Sequence, residues 1–549
     1  MADNITNRVQ NSTERDPLLG DRKPRNDEEA HSNADHSNSD EAEPLIKEPT
    51  TSELVLVLCG TWLGSFLAAM DSTIIATLTA PISASFDSLS LVSWLASSYF
   101  IANAALQPLS GRLTDIVSRK WGLIFSNVTF AAGNLICGLA QREWVMIFGR
   151  VVAGCGGGGL TAISTFVGSD LVPLRRRGVW QGVGNVCFGL GAGLGAVLGG
   201  WINDVWGWRK AFLILVPFTV LSCILVTCFV NIPVKQSERS AWKRIDFLGA
   251  FGLITTLVLL LIGLNSGGTI VPWNHPLIYT TLPLSAVSLF AFIYVENTHA
   301  LEPIIPIKVV ANRTVLAACF TNWFLTMSIF SVLYFAPIYF QIKGLSTTQA
   351  GIRLVPQSLG AAVGSISTGL IMRWTGRYYY LTAAIMLIFI VANVLVASFN
   401  LDTPLWVTIV ALGMTGIGYA GMLTVTLIAF ISAVAHEHQA VVTSASYAFR
   451  STGSAIGITI ASAVFQNLVS RNLQTAIGDR QGAADVIRRL KDNLEVIKHL
   501  PEGWKGDVQQ AYMDSVRGVF LTTLGISVVG AAVSLLMREH TLYATLSRK

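Results

Sequence analysis

The amino-acid sequence predicts an all-α membrane protein made of two six-helix halves with a two-helix insert between them. Three observations carry that prediction. The first is composition. Of 549 residues, 52% are hydrophobic and only 13% are charged, about half the charged share of a soluble domain, so there is too little polar material to cover a water-facing surface. The second is fourteen apolar segments, each long enough to cross a hydrocarbon layer of ~30 Å as a helix. The third is an internal repeat. Gly111-xxx-Asp115-xx-Ser118-Arg119 recurs as Gly369-xxx-Arg373-xx-Gly376-Arg377, Gly154-x-Gly156 as Gly416-x-Gly418, and Gly191-xxx-Gly195 as Gly453-xxx-Gly457. The offsets are 258, 262 and 262 residues, eight segments apart each time, which is the spacing of two parallel six-helix repeats with two extra helices between them.

Residues 1–52 form a polar tail. The first 50 residues carry twelve acidic against six basic side chains and almost no large apolar ones, so the tail cannot bury enough surface to offset its ordering entropy and is expected to be disordered. No cleavable signal peptide is visible in it. One pattern occurs twice, as Glu14-Arg15-Asp16-Pro17-Leu18-Leu19 and Glu41-Ala42-Glu43-Pro44-Leu45-Ile46. Both resemble the acidic dileucine signal by which cytosolic adaptors send membrane proteins to the vacuole or lysosome. The resemblance implies a sorting adaptor as a partner, reading an address and not an anchor.

The apolar segments fall at about 54–82, 91–112, 121–140, 144–169, 179–202, 210–230, 246–265, 276–295, 313–340, 350–372, 381–399, 405–433, 443–467 and 518–537. This divides the chain into a six-helix half at 53–235, an insert at 236–300 and a second half at 301–549. Alternate loops hold Arg112, Arg119, Lys120, Arg175, Arg176, Arg177, Lys235, Arg239, Lys243, Arg244, Lys308, Arg313, Arg373 and Arg377, while the opposite loops hold only Arg142, Arg209, Lys210 and Lys343. The positive-inside rule places the first set and both termini in the cytosol. Glycan on the Asn4 or Asn11 sequon would reverse that assignment. The last loop, 468–517, is long and carries Ile487, Leu490, Leu494, Ile497 and Leu500 at helical steps, an amphipathic helix expected to rest on the non-cytosolic mouth as a lid or a plain cap. The seven cysteines fall within segments, with neither a disulfide framework nor metal spacing.

Four stretches carry candidate chemistry. Asp71 lies inside the first segment, in Met70-Asp71-Ser72-Thr73-Ile74. A carboxylate at that depth costs about 2.5–3.5 kcal/mol on an insertion scale, so it must face a cavity or a partner. Without a partner it becomes a proton acceptor; otherwise it caps neighbouring hydroxyls. Gly111, Asp115, Arg119 and Lys120 form a loop in which Gly111 permits a tight turn and Asp115 can accept from a helix N-terminus or an arginine. Arg150 lies in the fourth segment, within two turns of its polar flank. It either snorkels to that flank or stands as a fixed charge beside a titrating group. Arg450 lies deeper in its segment, before Ser451-Thr452-Gly453, where it can line a path, whereas Arg353 lies at a segment start. Asn103, Gln107, Asn134, Gln181, Asn185, Asn322 and Gln357 are further polar groups that can line a cavity. The fifth segment holds Gly182, Gly191, Gly195, Gly199 and Gly200. Three of these repeat at steps of four, a groove of bare backbone for a neighbouring helix.

These stretches resemble the major facilitator superfamily, and in it the fungal fourteen-span drug:proton antiporters, a family of multidrug efflux pumps and vacuolar basic amino-acid transporters. The resemblance covers essentially the whole chain after residue 53. Asp71-Ser72-Thr73-Ile74 is similar to the first-span Asp-x-Thr-Ile motif, which implies proton coupling or cation binding. Gly111-Arg112-Leu113-Thr114-Asp115-Ile116-Val117-Ser118-Arg119-Lys120 resembles the superfamily's gating loop, which implies a latch between halves. Here Ser118 replaces the usual glycine and Ile116 the usual arginine. Arg150 resembles the fourth-span arginine. The glycine-rich fifth segment resembles the antiporter motif that holds the path closed to leak, with Ala196 where the family has proline.

No nucleotide loop, metal-ligand cluster or nucleophile constellation is present in the sequence. The expected activity is vectorial, with no enzymatic step, no cofactor and no nucleic-acid partner. The chain is expected to act as a monomer in the bilayer, exporting a small organic solute from the cytosol against protons, into the vacuole or, as a rival, across the plasma membrane. A membrane sensor that does not transport is the alternative of a different class.

Overall fold

In lipid every backbone amide must bond within its own segment, so apolar stretches with many glycines still become helices. The computed structural model follows that rule. It describes residues 51–86, 88, 91–172, 174–231, 246–267, 271–299, 311–434, 439–480, 482–492, 496–497, 500 and 502–540. The two tail signals and the basic residues Lys235, Arg239, Lys243, Arg244 and Lys308 lie outside that set.

The helices are α1 Thr51–Ser85, α2 Leu91–Ile116, α3 Arg119–Leu139, α4 Glu143–Leu171, α5 Leu174–Trp206, α6 Trp208–Phe229, α7 Phe247–Ser266, α8 Pro276–Thr298, α9 Arg313–Ile342, α10 Thr347–Ile352, α11 Val355–Thr375, α12 Tyr379–Ala397, α13 Leu405–Ala433, α14 Gln439–Ile477, α15 Ala483–Asp492 and α16 Glu502–Ser534. Among the described residues, thirteen helices are long and apolar enough to cross a membrane. α2, with 26 residues, is not among them; its Ser97, Asn103 and Gln107 bond side chains of α14.

The packing repeats. α1 packs on α4, α5 and α6, and α9 on α13, α14 and α16. α4 packs on α2 and α3, and α13 on α11 and α12. Between the two sets, α2 lies against α14 and α5 against α10 and α11. The repeat reaches individual atoms. A Cβ added to Gly191 or Gly195 would collide with the carbonyls of Phe66 or Met70 on α1, and one added to Gly453 or Gly457 would meet those of Trp323 or Met327 on α9. Asn134 donates to Phe130 O at 3.0 Å on α3, and Asn393 to Phe389 O at 2.9 Å on α12. The insert helices α7 and α8 pack on each other, and α7 also touches α2 and α14.

Membrane solvent inverts the usual side-chain sorting. On α3 the exposed face is Trp121, Phe125, Val128, Leu135 and Leu139, while Asn127 and Asn134 are fully buried. Each asparagine donates its amide N–H to a carbonyl of its own helix, and apolar side chains meet lipid at no loss. The long loop places α15 where Ile487 and Leu490 are buried, and the Tyr512 phenol donates to Leu490 O at 2.5 Å. α15 is thus packed into the body of the protein along its apolar face.

Candidate functional site

Asp71 lies midway along α1, and Arg150 lies on α4. Both are fully buried, and Arg150 Nη1 donates to Asp71 Oδ2 at 2.7 Å. The snorkelling reading of Arg150 therefore does not hold. Its Nε donates to Leu95 O on α2 at 3.1 Å, and its guanidinium lies 4.4 Å from the centre of the Tyr99 ring. Fixed at both edges and stacked on its face, this arginine is a rigid positive charge. Tyr334 of α9 donates its phenol to Ser72 O at 3.2 Å, so the far half closes over the pair.

The pair is incompletely satisfied. Asp71 Oδ1 and Arg150 Nη2 are buried with no hydrogen-bond partner. Buried polar atoms are normally bonded, so one open acceptor and one open donor set this charged pair apart from an ordinary structural ion pair. Ser72 and Thr73 do not bind the carboxylate. Their hydroxyls donate to Ala69 O at 2.7 Å and Met70 O at 3.0 Å within α1, so the hydroxyl-capping reading of Asp71 does not hold.

The glycine face of α5 runs beside this site. Gly195 abuts Met70 O and Thr73 Oγ1, the residues flanking Asp71, and Gly199 abuts Ile74 and Thr77. Gly200 turns the other way, onto Thr347 of α10, and a Cβ on Gly351 of α10 would strike Ala196 O. At the end of α5, Asn203 donates to Thr347 Oγ1 at 3.0 Å, and the Asp204 carboxylate accepts from the Thr347 hydroxyl and from Thr348 N at 3.0 Å. This joins the two halves at the end where α1 and α5 finish. The surroundings of Gly182 lie outside the described set.

In the loop after α2, Arg119 Nε donates to Asp170 Oδ2 of α4 at 3.0 Å and Nη1 to Gly111 O at 3.2 Å. These partners belong to its own half, so in this state Arg119 fastens α2, α3 and α4 together. The Asp115 side chain lies outside the described set. Ser118 accepts from Lys120 N at 3.2 Å and caps α3. Its φ is 153°, and Gly376, its counterpart in the repeat, has φ 65°. Both turns need positive φ, and only one of them has the residue that adopts it freely.

Arg450 is not brought to the Asp71 pair. It lies on α14, stacked 5.0 Å over the Tyr447 ring. Asn103 and Gln107 meet Ser451 of α14, with Ser451 Oγ donating to Gln107 Oε1 at 2.8 Å. Asn322 bonds Ser446 Oγ at 3.1 Å, and both polar atoms of the Gln357 amide are buried without partners. Asn185 is exposed. Sequence reasoning missed Tyr99, Tyr334 and Asp204. The first two read as ordinary core aromatics, and nothing in the local sequence marks the third.

Comparison with known proteins places this geometry. Residues 61–458 match the Major Facilitator Superfamily profile. The chain is 38% identical to the multidrug resistance protein fnx1 of Schizosaccharomyces pombe over 91% of its own length and 96% of the relative's. It is 31% identical to the vacuolar membrane amino acid uptake transporter fnx2 of the same yeast, covering 91% of this chain and 86% of that one. It is also 31% identical to vacuolar basic amino acid transporter 2 of Saccharomyces cerevisiae, over 80% and 96%. In fold it is similar to a bacterial homologue of the human lysosomal transporter Spinster in an inward-facing, unoccupied conformation, with TM-score 0.64, 16% identity and coverage of 89% and 98%. The chain is a transporter of the major facilitator superfamily, related to its drug:proton antiporters.

Proposed function

We propose that this multi-pass membrane protein is a proton-coupled antiporter that exports small organic solutes from the cytosol into the vacuole. The observation that carries the reading is the sealed Asp71–Arg150 pair with an open acceptor and an open donor. A proton arriving at Asp71 cancels its attraction for Arg150 and loosens α1 from α4. Because Tyr334 bonds the backbone of Ser72, that loosening reaches the other half. A proton gradient of about two pH units supports roughly 100-fold solute accumulation at one-to-one exchange. The Gly111–Lys120 loop and the α5 glycines act as the moving and sealing parts. In this reading both termini are cytosolic, the protein works as a monomer, and the tail motifs bind a sorting adaptor.

The vacuolar placement rests on those motifs and on two relatives named as vacuolar transporters. A relative named for multidrug resistance favours the second reading, a plasma-membrane efflux pump. The decisive assay is a solute panel in proteoliposomes with an imposed pH gradient, comparing wild type with Asp71→Asn. Gradient-driven uptake unchanged by that substitution removes Asp71 from coupling. A fluorescent tag on the full chain, with and without Leu18-Leu19 and Leu45-Ile46, separates the two membranes. Plasma-membrane signal in both forms ends the vacuolar reading.

A further inference from the structure

Arg450 is a cation at span depth on α14. Among the described residues no carboxylate lies within ion-pair distance of it. Its polar neighbours are the phenols of Tyr419 on α13 and Tyr447 on α14, and its Nε is buried without a hydrogen-bond partner. The faces of α14 locate it. Ser446, one turn before it, bonds Asn322 of α9; Tyr447 bonds Thr165 of α4 at 3.3 Å; Ser451 bonds Gln107 of α2. Arg450 therefore sits on the sector of α14 between its contacts to α9 and to α4, turned toward Tyr419 of α13. That is where the two halves face each other, and the side chain is partly exposed there.

Charge bookkeeping in this interior is simple. Asp71 and Arg150 neutralise each other, and among the described residues Arg450 has no carboxylate to neutralise it. An intramembrane arginine cannot discharge itself and is expensive to leave uncompensated. Two phenols satisfy part of its donor fork and supply a π face, but neither brings negative charge. A solute carboxylate does, and it matches the planar fork in a bidentate way.

We propose that Arg450 binds the carboxylate of the transported solute, so that the protein selects amino acids over organic cations that lack a carboxylate. The proposal rests on the antiport reading above and narrows its substrate class. It is tested by uptake of lysine and of lysine methyl ester into proteoliposomes of the full chain under one imposed pH gradient. Wild type should show a KM for lysine about tenfold or more below that for the ester. Arg450→Gln should raise the lysine KM to near that of the ester and leave the ester unchanged, and Arg450→Lys should keep part of the preference. Where Arg450→Gln does not fold, protection of the wild type against thermal unfolding by lysine, and not by its ester, carries the same test. Equal handling of acid and ester by wild type, or equal loss of both in Arg450→Gln, overturns the assignment. Gradient-driven uptake of cationic drugs without uptake of lysine also overturns it while antiport stands, and no gradient-driven uptake of either class removes both.

Discussion

Removing either member of the Asp71–Arg150 pair should destabilise the protein, and removing both should restore it. At 2.7 Å the pair attracts with about 6 kcal/mol for an effective dielectric of ~20. Most of that is offset by taking two charges out of water, so the pair as a whole is close to neutral against an apolar replacement, while a single deletion strands the other charge at about 3–5 kcal/mol. Unfolding entropies of about 2 cal/mol/K per residue make 1 kcal/mol worth about one degree in a chain of 549 residues. Asp71→Asn and Arg150→Met should therefore each lower the melting temperature by about 3–5 °C in purified, detergent-solubilised protein, and the double variant should return to within about 2 °C of wild type. Transport should fail in all three, because stability recovers without a titratable group. Additive losses in the double variant would refute the argument, since they would mean the two side chains do not hold each other.

Three other substitutions probe the surroundings. Gly195→Ala should cost about 1–3 kcal/mol, because its methyl group collides with Met70 O and Thr73 Oγ1, while Gly189→Ala, with nothing within 4 Å, should be neutral or slightly stabilising; melting temperatures of the pair check this. Ser118→Ala should melt below Ser118→Gly, since alanine loses the cap, worth about 1 kcal/mol, and keeps a φ of 153° that glycine relieves. Asp204→Ala should open the end of the bundle where α5 meets α10, read as about a several-fold rise in maleimide labelling of a cysteine introduced at Thr77, which lies against Gly199; unchanged labelling would mean that Asp204 does not hold this end shut.

What the sequence reveals and what it hides divide along a physical line. Helices were legible because in lipid an apolar run has no other option, and the repeat was legible because close backbone contacts demand glycine at fixed spacing. Ends were less so. The last span begins at Glu502 instead of near 518, because polar residues such as Gln509 and Asp514 belong to a helix that extends beyond the apolar run. α15 is described as far as Asp492, and the apolar repeat that runs on to Leu500 falls partly outside the described residues. Depth along a helix could not choose a fate for Arg150, whose partner is 79 residues away in the chain. The partners of Arg119 were equally hidden, since a loop motif does not state which half supplies the carboxylate. Tyr334 at the site and Asp204 at the far seal follow only from how the halves are brought together.

α5 is gripped along two opposite sides. One side lies directly on the main chain of α1 beside Asp71, the other on the main chain of α10 at Thr347. Contacts of that kind have no flexible side chain to absorb a displacement. On the antiport reading proposed above, the helix behaves as a push-rod: a shift of α1 when the acid gains or loses its proton reaches α10 of the opposite half.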